Sequence, residues 1–64
     1  MELDLKGIEI DRYKRRQLEE FVSFMASQKK QVGFLDMQQN IGISRKQWEI
    51  IRTNNFDKTL WKNE

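Results

Sequence analysis

The residues of this chain that could do chemistry are its charged side chains, and their types and spacing favour holding a ligand over transforming one. Histidine and cysteine are both absent. That removes the commonest general base and the thiolate nucleophile, and it leaves no nitrogen–sulfur ligand set for zinc. There is no glycine-rich phosphate loop. The carboxylates Glu19 and Glu20 are adjacent, so on a helix they point to different sides and cannot share a substrate. The sequence therefore predicts no catalytic residue, no metal site, no cofactor and no small-molecule substrate. What remains is binding by cations: Lys14, Arg15 and Arg16 early in the chain, and Arg45, Lys46 and Arg52 later.

The formal net charge of +2 hides an uneven distribution. Residues 1–11 carry Glu2, Asp4, Glu9 and Asp11 against Lys6 alone, which is −3. Residues 12–31 carry six basic and two acidic groups, +4, and residues 32–64 come to +1. The pattern suggests a basic face for a polyanion with an acidic end kept away from it, unless it is chance at this length. No apolar run approaches the roughly 20 residues that span a bilayer. The acidic, alternating N-terminus does not read as a signal peptide. Absence of cysteine fits a cytoplasmic protein. The 64 residues are read as one domain, 1–64. A chain this short buries only about 60% of its unfolded surface, so its stability is marginal.

Elements that would position the cations follow from periodicity. Leu3, Leu5, Ile8 and Ile10 alternate with charged residues, which predicts a strand or hairpin arm over 1–10. A hairpin would turn at Lys6-Gly7; a single bulged strand is the alternative. Asp11 is an N-cap for a first helix to about Gln31. Its apolar stripe is Tyr13, Leu18, Phe21, Val22 and Met25, widened by Phe24, and Gly33 supplies the stop. A second helix is expected from about Phe34 to Asn40. Asp36 sits in its first turn, and Phe34, Met37 and Ile41 share one face. Gly42 supplies the positive φ of a sharp turn. Ser44 then caps a third helix with Gln47 in a capping box, and Ile43 and Trp48 are placed as a hydrophobic staple. Trp48 and Ile51 face inward, and Asn54-Asn55 ends this helix. Phe56, Leu60 and Trp61 anchor the tail, as a further helical turn capped by Asp57 or as an extended piece. The expected fold is mainly α, a three- to four-helix domain with a helix-turn-helix over 34–54 and a short N-terminal β-strand or hairpin.

Two short helices joined by a tight turn are a common device for placing one helix in the major groove of DNA. With Gly42 at the turn, Ile43-Ser44 after it, and apolar residues at Met37, Ile41, Ile43, Trp48 and Ile51, the segment resembles the helix-turn-helix of the phage Cro and repressor proteins and of bacterial regulators. The likeness covers about a third of the chain. Gln38 departs from the pattern. It stands four residues before the turn glycine, where the family usually carries alanine, so its side chain must turn outward or widen the crossing.

The resemblance implies a role for each outward residue of the third helix. Ser44 and its backbone N–H would touch phosphate. Arg45 and Lys46 would reach guanine edges, Glu49 would accept from cytosine, and Ile50 would touch a thymine methyl. Arg52 would meet the backbone, Thr53 would lie on the same face, and Gln47 would only cap. Lys14, Arg15 and Arg16 form a second basic cluster, either an ordinary solvated helix face or a set of flanking phosphate contacts. The expected function is that of a small DNA-binding regulator of phage or mobile-element type, a repressor or other factor acting by occupying a site on double-stranded DNA. The alternatives are an excisionase-like architectural factor that bends DNA, and a protein-binding inhibitor or antirepressor with no DNA contact. The N-terminal arm is expected either to fold back on the Phe56–Trp61 tail or to make a homodimer contact, the dimer being narrowly preferred.

Overall fold

The computed structural model describes residues 3–62. Three helices follow in order: α1 Arg12–Ser27, α2 Phe34–Asn40 and α3 Arg45–Asn54. The chain is mainly helical, and among the described residues it holds no strand. Val32 and Trp61 form an isolated parallel bridge.

Each helix starts on a local signal. The Asp11 carboxylate accepts the Lys14 N–H at 2.7 Å. At α2 the Gly33 N–H donates to the Asp36 carboxylate at 3.0 Å. At α3 the Gln47 N–H donates to Ser44 Oγ at 3.2 Å, and the Ser44 N–H returns the bond to Gln47 Oε1 at 3.1 Å. Between α2 and α3 the chain turns at Gly42, whose φ is +79°. Gln38 is exposed, so the departure from alanine is met by turning the side chain outward.

α1 ends earlier than expected, at Ser27 and not near Gln31. Lys29 takes the left-handed conformation with φ 56°. Lys30 N–H then reaches Met25 O at 3.0 Å and Lys29 N–H reaches Ala26 O at 3.0 Å, which closes a Schellman motif. Gly33 is not the stop; it caps α2. The apolar stripe is also narrower. Leu18 and Val22 are buried, Phe21 and Met25 are partly buried, and Tyr13 and Phe24 are exposed. At 3.6 residues per turn, Tyr13 lies roughly 140° and Phe24 roughly 120° around the helix from Leu18, which puts both on the water side.

The core is a single cluster of Leu3, Leu5, Leu18, Val22, Val32, Met37, Ile41, Ile43, Trp48, Ile51, Leu60 and Trp61. Trp48 is wholly buried and meets the edge of Trp61 at a centroid distance of 5.2 Å. The first two residues of the expected 1–10 arm lie outside the described residues. From Leu3 onward that arm is neither strand nor hairpin. Ile8 N–H donates to Leu5 O at 3.1 Å, so Leu5–Ile8 is one β-turn. Gly7 has φ 86° while Lys6 does not have positive φ. That is the pattern of a type II turn, whose twist splays the flanking segments where a hairpin needs a primed turn.

The arm's backbone is satisfied by α3 instead. The Asn55 side-chain amide pairs with Asp4 as a peptide group would. Its Oδ1 accepts the Asp4 N–H at 2.7 Å and its Nδ2 donates to Asp4 O at 2.8 Å. Asn54 Nδ2 donates to Lys6 O at 2.7 Å. Leu3 and Leu5 are thereby buried in their own chain, which leaves only the half-buried Ile8 and Ile10 of the apolar edge that motivated a dimer contact. The tail takes both expected forms in succession. Asp57 closes a turn, with Leu60 N–H and Trp61 N–H on Asp57 O at 3.2 and 3.3 Å. The chain then runs extended beside Val32, which donates to Leu60 O and accepts from the Lys62 N–H, both at 2.8 Å.

Candidate nucleic-acid interface

Burial of Trp48 and Ile51 fixes which way α3 faces. The opposite side presents Ser44, Arg45, Lys46 and Thr53 as exposed residues, with Glu49, Ile50 and Arg52 half-covered at its margins. This is the set read from the sequence, but the side chains differ in what they have left to offer.

Ser44 is committed to the capping box through both its hydroxyl and its N–H, so its N–H is already hydrogen-bonded. Gln47 does the capping work expected of it. Thr53 donates its hydroxyl back to Glu49 O at 2.8 Å, which leaves its methyl and the hydroxyl's acceptor side facing out. Ile50 is less open than expected. A Cβ added to Gly7 would stand 3.8 Å from Ile50 Cγ2, so the N-terminal turn covers one flank of this side chain.

The arginines of α3 are both held. Arg45 Nε lies 3.4 Å from Glu49 Oε1, and Arg52 Nη2 lies 3.7 Å from Glu49 Oε2. Each oxygen of one carboxylate therefore serves one guanidinium. The Arg45 guanidinium also sits 5.1 Å from the centroid of the Phe34 ring, a cation–π contact that ties α3 to the start of α2. Lys46, by contrast, has no carboxylate partner among the described residues.

The second basic cluster divides. Arg15 pairs with Glu19 at 3.5 Å and Arg16 with Glu20 at 3.3 Å, each one turn along α1. Both are solvated ion pairs, and residues one or two apart diverge around the helix, so the cluster is not one patch. Lys14 is different. It is half-buried, and a Cβ added to Gly42 would stand 3.6 Å from its Nζ. The fold thus brings Lys14 to the turn before α3 and leaves Arg15 and Arg16 on other sides of α1. Sequence spacing could not show this, because it depends on how α1 crosses the turn.

One further concavity competes for attention. A shallow groove of about 610 Å³ is lined by Arg52, Phe56, Lys58, Trp61 and Lys62 among others. Phe56 is 80% exposed beside it. Its cations are largely spent within the molecule, Arg52 on Glu49 and Lys62 on Asp36 at 3.7 Å. Asp57 on its wall accepts from the Thr59 hydroxyl and N–H, and these two bonds hold its carboxyl below the ordinary value of 3.8. No group of three metal-ligating side chains occurs among the described residues. No helix is long and apolar enough to cross a membrane. No family model matches this sequence, and comparison with curated proteins and with solved structures finds no match.

Proposed function

We propose that this protein binds double-stranded DNA by laying the outward face of α3 in the major groove, and that it acts as a regulator of phage or mobile-element type by occupying its site. The observation that carries this reading is the outward, capped start of α3. Arg45 and Lys46 stand exposed there, behind the Gly42 turn, with Lys14 reaching the same turn from α1. Helix N-termini and clustered cations attract phosphate, and an arginine on the first turn of such a helix is placed to fork onto a guanine edge. Lys46 and Lys14 would supply contacts indifferent to sequence; Arg45 would supply discrimination. Arg15 and Arg16, each paired with a glutamate one turn along α1, are left out of this reading.

A second reading has its own observation. Tyr13, Phe24, Leu35 and Phe56 are large apolar side chains left exposed, and where such side chains gather into a patch they suit a protein partner. That would make the chain an inhibitor or antirepressor. Mobility shift with random-sequence duplex at low and at moderate salt separates the two. A DNA binder shifts the duplex, weakening steeply as salt rises. Arg45→Ala should weaken binding to a selected site by about 1–3 kcal/mol through a lost base contact, and Lys46→Ala should weaken binding about equally on every sequence. Unchanged affinity in both variants, with the fold intact, excludes α3 as the reading element.

A further inference from the structure

Glu49 occupies an unusual place on the proposed reading face. It is the only carboxylate on the outer side of α3, four residues after Arg45 and three before Arg52. Its two oxygens are divided between the two guanidiniums, at 3.4 and 3.7 Å. Neither arginine is deeply buried, so the pairs can open. The Phe34 ring restrains Arg45 further. Lys46 on the same helix, and Lys14 at the Gly42 turn, have no carboxylate partner among the described residues. The side chains that can fork onto guanine are therefore held by an internal anion, and those that act as point charges are not.

We propose that Glu49 is a specificity-determining residue that acts as an internal competitor for Arg45 and Arg52. This inference rests on the DNA-binding reading above. In the free protein the carboxylate stands where an acceptor on DNA would otherwise sit. A lone phosphate offers the guanidinium roughly what the carboxylate already offers, so exchanging one for the other gains little. A guanine edge presents two acceptors in a plane and takes the arginine fork better than a side-on carboxylate does. Glu49 thus taxes non-specific engagement more than specific engagement. This role is separate from the cytosine contact that the family resemblance implies, which becomes open to the carboxylate only once the arginines turn to DNA.

A double-mutant cycle on random-sequence duplex tests this, with the full chain, Glu49→Gln, the double variant Arg45→Gln/Arg52→Gln, and the triple variant. Removing one negative charge near a polyanion strengthens binding by itself, so the coupling is the informative quantity. With exposed pairs contributing about 0.2–1 kcal/mol each, Glu49→Gln should bind random duplex roughly three- to tenfold tighter. In the Arg45→Gln/Arg52→Gln background most of that gain should vanish. Equal gains in both backgrounds would show that Glu49 only repels DNA, and would overturn the inference while leaving DNA binding intact. Loss of affinity in Glu49→Gln would overturn it as well. Failure of every variant to shift duplex at low salt would remove the DNA reading and this inference together. A second measurement needs no DNA. The guanidinium N–H resonances of Arg45 and Arg52 in the free protein should both move in Glu49→Gln. If neither moves, the pairs do not hold in solution and the competitor does not exist, whatever the DNA affinity.

Discussion

α3 begins on residues beside it in the chain and ends on residues from the far end of the molecule. Its start is closed by Ser44 and Gln47, three positions apart, with Ile43 and Trp48 buried on either side of the cap. Its end is closed by Asn54 and Asn55, whose amides hold Lys6 and Asp4 across separations of 48 and 51 residues. Asn55 also donates to Ile51 O, and its own carbonyl accepts the Trp61 indole N–H at 2.6 Å. One asparagine thus joins the last turn of α3, the N-terminal arm and the tail. The two ends do different work. The start orients the proposed reading face and is self-sufficient. The end locks the helix into the domain and depends on the whole chain being folded.

Trp48 lies between the two ends, so its removal should have the largest effect. It is wholly buried and packs on Trp61. Trp48→Ala should cost about 3–5 kcal/mol. A domain of this size has roughly 3–10 kcal/mol in total, so the variant should lose about half of its stability or more and melt far below the wild type. Far-UV circular dichroism checks this; a variant that melts like the wild type would mean α3 does not pack as described. The buried Trp48 Nε1 has no hydrogen-bond partner among the described residues. Trp48→Phe removes that unpaired donor along with some apolar area, and should cost well under half as much as Trp48→Ala.

Asn55→Ala sharpens the comparison. It deletes both bonds to Asp4 and the bond to Ile51 O. At about 1 kcal/mol per bond, less where water can replace the partner, the loss should be about 2 kcal/mol. The melting temperature should fall by roughly 8–16 °C for a domain this small. The drop should be the same at every protein concentration, because the arm is held within one chain. A drop that shrinks as protein concentration rises would instead reveal a dimer contact through the arm.

These two ends also mark what the sequence could and could not disclose. The start of α3 was legible, because capping boxes, staples and glycine turns are set by residues within five positions of one another. Burial of Met37, Ile41, Trp48 and Ile51 followed from the same short-range spacing. The arm was not legible. Its period-two alternation put Leu3, Leu5, Ile8 and Ile10 on one apolar face, of which Leu3 and Leu5 are buried and Ile8 and Ile10 only partly so; the partner that replaced a strand was an asparagine amide some fifty residues away, and nothing local announces such a pairing. The end of α1 was misplaced because Lys29, a residue with a Cβ, adopts the left-handed conformation usually left to glycine. At the proposed interface the residue types were legible and their availability was not. Glu49 holding two arginines is readable as i, i+3 and i, i+4 spacing once α3 is known. The approach of Lys14 to Gly42 and the cover of Gly7 over Ile50 belong to tertiary packing alone.

Ser44→Ala tests the local end. It removes the hydroxyl that accepts the Gln47 N–H and should cost about 1 kcal/mol. That is half the effect of Asn55→Ala, and it should be confined to α3. Amide exchange should speed up in the first turn of α3 and leave Asp4 and Lys6 unchanged. If instead the arm's amides exchange faster too, the two ends are coupled and the start is not self-sufficient.

The smallest effect should come from α1, whose end is closed locally but with an ill-suited residue. The left-handed conformation costs a residue with a Cβ about 1–2 kcal/mol, and glycine escapes that cost while giving up about 0.5–1 kcal/mol in chain entropy. Lys29→Gly should therefore raise stability by about 0.5 kcal/mol, a gain of a few degrees in melting temperature. The Schellman bonds from Lys29 and Lys30 to Ala26 and Met25 are made by backbone alone, so nothing else in the motif need change. A loss of stability in Lys29→Gly would mean that the lysine side chain contributes more than its backbone strain costs.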